Sequence, residues 1–214
     1  MSWLDPDNET PQQHLDRQVR RACNTLRRRD PVLRDLIRQH GTHRINAERD
    51  YFQLMVATII SQQLSTKAAN SIYNRLIENL GGRRPRPRGV LAATDAQLLG
   101  AGLSRSKAKY LRNVAEAFTT RRMGPKTFAP MSDDDVIARL TEIKGVGVWS
   151  AHMFLMFGLG RLDVFPIGDL GLRNAMTAQY GLRKPVSERR LSTIADTWKP
   201  WRTVASIYMW KSYD

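Results

Sequence analysis

The chain has 214 residues, 42% of them hydrophobic, so it is long enough to bury a substantial core and too apolar to be disordered. Its 34 lysines and arginines outnumber 20 acidic residues, which gives a net charge of +14 and a pI near 10.6. A polyanion is therefore the expected partner. Nucleic acid is favoured over a membrane, although charge alone also fits a soluble basic protein from an arginine-rich proteome.

Several classes of protein are excluded by what the sequence lacks. No apolar run is long enough to cross a bilayer, and the polar, acidic start does not resemble a secretion signal, so a soluble intracellular protein is expected. The lone Cys23 excludes a disulfide framework, and it equally excludes a zinc site or an iron–sulfur cluster built from clustered cysteines. The four histidines show no useful ligand spacing.

The chain is predicted to be nearly all helix. Asp30 as a cap, Pro31 at the first helical position and Gly41 at the end predict a helix between them. The apolar run 51–60 is typical of a buried helix. Further helices are predicted within 65–82, 94–99, 104–118, 131–140, 170–181, 187–198 and 200–210, from three- and four-residue apolar spacing and from capping residues.

Two segments are expected to lie outside the helices. The basic, proline-broken stretch 83–89 is expected to be a non-helical connector, and residues 1–13 are expected to be loose. Alternating patterns of strand type are absent. The sequence therefore indicates an all-α fold.

A glycine turn separates two predicted helices in the stretch 142–154, EIKGVGVWSAHMF. Ile143, Val146 and Ala151 can pack the corner, while Gly145 and Gly147 permit close approach and positive φ. Backbone N–H groups at the start of the second helix would then form an anion site with a preference for phosphate. An ordinary turn between two helices is the alternative.

Residues 143–151, IKGVGVWSA, resemble the helix–hairpin–helix motif of the DNA glycosylase superfamily, whose usual form is L-x-G-[VI]-G-x-x-[TS]-A. The approach LDVFPIGD, 162–169, is similar to the alkylpurine branch, that of DNA-3-methyladenine glycosylase II. Further blocks that resemble the family in order are 59–72, 102–118 and 198–210. The resemblance covers roughly residues 50–210.

The resemblance implies an all-α fold of two helical lobes with the active site in the cleft between them. It implies one helix–hairpin–helix glycosylase domain across 1–214, with the motif itself at about 133–157. The compact form of the family is expected, without the N-terminal β-domain of larger relatives and without the iron–sulfur cluster of another branch. A structural Na⁺ or K⁺ held by the backbone near Gly145 and Gly147 is expected from relatives.

Asp169 lies twenty-two residues after Gly147, where the resemblance places the catalytic aspartate. At the start of a helix its carboxylate would also be stabilised by the helix dipole, and a plain capping role is the alternative. Trp149 stands where bifunctional members of the family carry a nucleophilic lysine, so a glycosylase without lyase activity is implied. Trp149 could instead stack on a flipped base, with a core tryptophan as the alternative.

The resemblance also assigns other site residues. Trp149, Trp210 and Met153 are expected to line the base pocket, and Gln63 is expected to fill the gap left by the flipped base, with Gln62 in reserve. Phosphate is expected to meet the backbone amides of the hairpin. The full set of expected DNA contacts is Gln62, Gln63, Ser104, Lys107, Lys144, Gly145 and Gly147, with the Trp149 amide.

The implied activity is hydrolysis of the N-glycosidic bond of alkylated purines, 3-methyladenine and 7-methylguanine, flipped out of double-stranded DNA. A monomer is expected, in the cytoplasm or nucleoid of a bacterium or in a eukaryotic nucleus. Gly168 replaces a second acid found in several relatives, and Met153 replaces an aromatic, so the preferred lesion stays open. The alternatives are a non-catalytic, damage-sensing DNA-binding protein and a glycosylase for other damaged bases, including one with lyase activity.

Overall fold

The computed structural model describes residues 9–47, 50–121 and 123–213. These residues form α-helices and one π-helical turn, and no β-strand occurs among them, so the all-α prediction is confirmed. The helices are α1 Pro11–Arg29, α2 Pro31–His40, α3 Tyr51–Ser61, α4 Thr66–Asn79, α5 Pro87–Ala92, α6 Asp95–Gly100, α7 Arg105–Thr120, α8 Pro125–Phe128, α9 Asp133–Thr141, α10 Val148–Met153, α11 Leu170–Gln179, α12 Glu188–Asp196 and α13 Arg202–Lys211.

The described residues divide into two compact units. Unit 1 falls within Met1–Ala47 and Gly160–Asp214, and unit 2 falls within Glu48–Leu159. Unit 1 therefore contains α1, α2 and α11 to α13, whereas unit 2 contains α3 to α10. In the part of the chain that the structure describes, no helix is both long enough and apolar enough to cross a membrane.

Unit 1 is built around α13, which packs against α1, α2 and α11. All seven residues 203–209 of this helix are buried. The side chain of Asp30, only 6% exposed, caps α2 by accepting from the Leu33 N–H at 3.0 Å. Its other oxygen accepts from Tyr180 Oη at 2.6 Å and from Trp198 Nε1 at 3.2 Å. One carboxylate thus caps α2 and satisfies donors from two distant parts of unit 1.

Unit 2 is built around α3, the predicted buried helix, which packs against α4, α7, α10 and the π-helical turn Phe154–Gly158. Met55, Val56, Ile59 and Ile60 are fully buried along it. A Cβ at Gly158 would lie 2.9 Å from Leu54 Cδ2, so glycine allows the turn to approach α3. This packing positions the chain that leaves the hairpin.

Two sequence expectations about non-helical segments are wrong where the structure describes them. Helix α5 begins at Pro87, inside the supposed connector 83–89, because proline is well suited to the first turn of a helix, where its missing N–H is not needed. Helix α1 begins at Pro11, inside the supposedly loose 1–13. Thr10 and Gln13 form a capping box there. Residues 1–8 lie outside the described residues.

Candidate active site

Asp169 is the N-cap of α11, as the sequence predicts. Its Oδ1 accepts two hydrogen bonds, from the Leu172 backbone N–H at 2.7 Å and from the Trp210 indole Nε1–H at 2.9 Å. Trp210, expected only as a pocket residue, therefore also orients the acid. A Cβ at Gly171 would lie 3.3 Å from the same oxygen, so this glycine keeps space beside the carboxylate. The Trp210 hydrogen bond and the close approach of Gly171 were not predicted from the sequence.

The segment that leads to Asp169 is fixed to the start of α13. The Arg202 guanidinium makes a two-point ion pair with Asp163, with Nε–Oδ1 at 2.9 Å and Nη2–Oδ2 at 3.0 Å. The Thr203 hydroxyl accepts from the Val164 N–H and donates to the Arg161 carbonyl. Since Trp210 lies two turns further along α13, one helix holds both the approach to the acid and its side-chain partner.

The hairpin lies between α9 and α10, and its corner packs as expected, with Ile143, Val146 and Ala151 all buried. Gly145 has φ +102°, and a Cβ built there would lie 2.1 Å from Tyr110 Cγ. Both the backbone conformation and the contact with α7 therefore require glycine.

Gly147 differs from Gly145, and the expectation of positive φ is wrong for it. Its φ of −98° and ψ of 178° are open to any residue, and a Cβ there meets nothing within 4 Å. Gly147 is the N-cap of α10 and gives it no side-chain cap. Nothing within the fold of unit 2 requires glycine at this position. The first turn of α10 carries backbone N–H groups that have no acceptor within the helix, as in any α-helix.

The loop between α3 and α4 is tied to the hairpin through Gln62. Its Nε2 donates to the Gly145 carbonyl and to Ser150 Oγ, both at 3.1 Å. The Lys107 ammonium donates to the carbonyls of Ile60 at 2.6 Å and Gln62 at 2.7 Å. Burial lowers the pKa of Lys107. Gln62 and Lys107, which were both expected to contact DNA, therefore hold the loop between α3 and α4 in place.

Gln63 has the opposite environment. It is exposed and has φ +58°, the left-handed region that a non-glycine residue seldom adopts. Its neighbour Leu64 is 40% exposed. The bonds made by Gln62 therefore fix a loop whose next side chain faces outward.

The remaining predicted residues fall in unit 2. Ser104 caps α7 by accepting from the Lys107 N–H at 3.2 Å, so Ser104, Lys107, Gln62 and Gly145 form one connected network. Lys144 is exposed, and its carbonyl accepts from Asn113. Trp149 is half-buried, and Met153 is 7% exposed. Asp169 and Trp210 meet in unit 1.

Among the described residues, no group of three or more His, Cys, Asp or Glu side chains could hold a metal ion. The expected Na⁺ or K⁺ would have to use backbone carbonyls of the hairpin. Those of Ile143, Lys144 and Gly145 each accept a hydrogen bond, from the Val146 N–H, Asn113 and Gln62, so a cation would share them. The cation stays a prediction.

Comparison with known proteins identifies the family of this chain. Residues 56–202 match the HhH-GPD superfamily of base excision DNA repair proteins. The chain belongs to this superfamily. It is 33% identical to DNA-3-methyladenine glycosylase 1 of Schizosaccharomyces pombe over 183 residues, which cover 83% of this chain and 80% of the relative. It is 34% identical to DNA-3-methyladenine glycosylase of Saccharomyces cerevisiae over 208 residues, 90% of this chain and 70% of the relative.

Solved structures of the HhH-GPD fold agree. The S. pombe 3-methyladenine DNA glycosylase (Mag1), in complex with abasic DNA, matches with a TM-score of 0.82 at 31% identity, covering 89% of this chain and 95% of that chain. A DNA-3-methyladenine glycosidase from Bacillus halodurans matches with a TM-score of 0.74 at 35% identity, over 90% of this chain and 88% of that chain. The resemblance read from the sequence is confirmed.

The two hairpin glycines should respond differently to substitution. Gly145→Ala places a Cβ against Tyr110 at positive φ, so we expect it to lower the free energy of unfolding by about 3 kcal/mol. Gly147→Ala should change it by less than about 0.5 kcal/mol, because its Cβ meets nothing. Urea unfolding of both variants measures the difference, and equal losses would contradict the distinction.

Proposed function

We propose that this HhH-GPD protein is a DNA glycosylase that hydrolyses the N-glycosidic bond of alkylated purines in double-stranded DNA during base excision repair. The support is its family, the relatives named as DNA-3-methyladenine glycosylases at 33% and 34% identity, and the Mag1 structure with abasic DNA. The net charge of +14 suits a polyanionic substrate. We further propose that the protein acts as a monomer, in whichever compartment holds the genome.

The observation that carries the proposal is the position of Asp169. Oδ1 is held by the Leu172 N–H and the Trp210 indole, so the carboxylate has a fixed direction. Breaking a glycosidic bond builds positive charge on the sugar, and a pre-oriented carboxylate stabilises that charge without reorganising during the reaction. The same group is suited to orient the attacking water, whose proton it can accept.

The proposed enzyme is monofunctional. A lyase of this superfamily needs an amine that attacks the sugar and forms a Schiff base, and Trp149 stands at that position here. The π-face of Trp149 is suited to stack on a flipped base. Because 3-methyladenine and 7-methylguanine carry positive charge, an aromatic face adds cation–π attraction.

Gly147 is proposed to bring the start of α10 close to a DNA phosphate. The fold itself does not require glycine there, so the missing side chain is explained by an external partner that approaches the backbone. The Gly147→Val variant should therefore lose affinity for damaged and undamaged duplexes alike. A loss confined to damaged DNA would mean that the hairpin does not bind phosphate.

The main test of the function is Asp169→Asn. The amide oxygen can still accept from Leu172 and Trp210, so the fold should persist while the negative charge is lost. We expect base release to fall about 10²-fold or more, with DNA affinity largely kept. Single-turnover release from methylated DNA, with binding by fluorescence anisotropy, measures both quantities. Near-normal release by this variant would remove Asp169 from the chemistry.

A series of lesions tests substrate and product together. Stacking and an intrinsically weak bond should favour 3-methyladenine and 7-methylguanine, and hypoxanthine and 8-oxoguanine should be released at least about tenfold more slowly. The product should be an intact abasic site that breaks only after alkali. Faster release of 8-oxoguanine, or a covalent adduct trapped by borohydride, would contradict the alkylpurine and the monofunctional proposals respectively.

Gln63 is proposed as the residue that fills the gap in the duplex, and Gln62 serves as its matched control. Gln63→Ala should slow base release without changing the melting temperature, because the side chain is exposed. Gln62→Ala removes two hydrogen bonds to the hairpin and should lower the melting temperature by about 2–4 °C. A 2-aminopurine beside the lesion reports flipping by its fluorescence. Unchanged flipping and release in Gln63→Ala would refute the assignment.

A further inference from the structure

Helix α1 carries an arginine-rich face that no part of the proposed reaction uses. The helix contains six arginines and a single acid, Asp16. Four of the arginines lie within roughly a third of the helix circumference and about 12 Å of its length. We name them the α1 arginine stripe: Arg20, Arg21, Arg27 and Arg28.

The stripe is exposed to solvent along its whole length. Within the described residues, none of the four guanidinium groups makes an ion pair or a side-chain hydrogen bond. The neighbouring arginines differ, since Arg17 pairs with Glu9, Arg44 pairs with Asp16 and Arg29 donates to the Lys199 carbonyl. Four unpaired like charges on adjacent turns repel one another, so a bound polyanion would relieve that repulsion.

The stripe faces away from the core of unit 1. Helix α1 packs against α2 and α13 through its opposite face, whose buried residues are Leu15, Val19, Ala22, Cys23 and Leu26. Helix α13 carries Trp210 and therefore lies on the Asp169 side of α1. Because the apolar face of α1 is buried in unit 1, a membrane is excluded as the partner. A helix that binds a membrane must insert its apolar face into lipid.

The composition of the stripe favours nucleic acid over an acidic protein. Arginine donates in pairs from a planar fork and suits phosphate oxygens, and between the arginines lie only the small polar side chains of Asn24 and Thr25. Protein-binding surfaces are typically centred on buried aromatic or aliphatic anchors, and this stripe has none. Its length matches three or more phosphates along one DNA strand.

We propose that the α1 arginine stripe binds the backbone of a second DNA duplex segment, separate from the segment that presents a damaged base to Asp169. The contact is independent of sequence and of damage, because only phosphates are recognised. A protein that holds two segments can pass between neighbouring stretches of DNA without full release. The proposal requires binding to DNA and does not depend on which base is removed.

The test counts duplexes per protein molecule. The stripe variant carries Arg20→Gln, Arg21→Gln, Arg27→Gln and Arg28→Gln. The control variant carries Arg→Gln at Arg34, Arg38, Arg44 and Arg112, which removes the same charge from arginines that lie outside α1 and already have acidic partners. Sedimentation with an excess of an undamaged 12-base-pair duplex at low salt gives the stoichiometry.

Two duplexes should bind each wild-type and control molecule, and one should bind the stripe variant. The second binding step should weaken with salt with a logarithmic slope of about −3 to −4, as expected for four phosphate contacts. A double variant, Arg27→Gln with Arg28→Gln, should halve that slope. It provides the same test if the quadruple variant does not fold. Release of a damaged base from a short duplex should be unchanged in the stripe variant.

Three results would overturn the proposal. One duplex per wild-type molecule would show that no second segment binds, and would leave an acidic protein as the candidate partner. Two duplexes on the stripe variant would place the second site elsewhere. Slower base release from the short duplex by a folded stripe variant would make the stripe part of the primary DNA contact.

Discussion

Backbone N–H groups at helix starts need acceptors, and this requirement links the fold of the protein to its site. Nine of the described helices begin with a serine, threonine or aspartate whose side chain accepts such a group. Helices α5 and α8 begin at proline, and the first N–H of α13 donates to Asp163. Helix α10 alone among them has Gly147 and neither device. This exception, α10, is the second helix of the hairpin, where the resemblance to the superfamily predicts contact with DNA.

The same requirement explains how one aspartate can serve both stability and the proposed chemistry. Capping fixes Asp169 at the start of α11, and the Trp210 indole adds a second donor to the same oxygen. A side chain held by two hydrogen bonds loses little further freedom when it acts on a substrate, which is the benefit of preorganisation. The acid is thus positioned by contacts within unit 1, with α13 and its ion pair to Asp163 as the support.

In unit 2, hydrogen bonds within the protein distinguish side chains that hold a loop in place from side chains that are exposed to solvent. Gln62 and Lys107 satisfy carbonyls at the end of α3 and in the hairpin, and burial lowers the pKa of Lys107. Gln63, one position further, is exposed in a left-handed conformation. The two adjacent glutamines therefore differ, because within the described residues only Gln62 makes side-chain hydrogen bonds.

The sequence by itself determined most of the helices, the glycine turn and the position of Asp169 at the start of a helix. These features depend on caps, prolines and motif spacing, which are local properties of the chain. No helix was predicted over 11–29, although Thr10 and Gln13 form a capping box at the start of α1, and the proline-rich stretch 83–89 was predicted to be non-helical. Only the tertiary structure decided that Trp210 bonds the acid, that Gln62 binds the hairpin and that Lys107 holds the carbonyls at and just after the end of α3. These partners lie 41 to 83 residues apart in the chain, and no local pattern encodes such a meeting, because packing of whole helices brings the groups within hydrogen-bond distance.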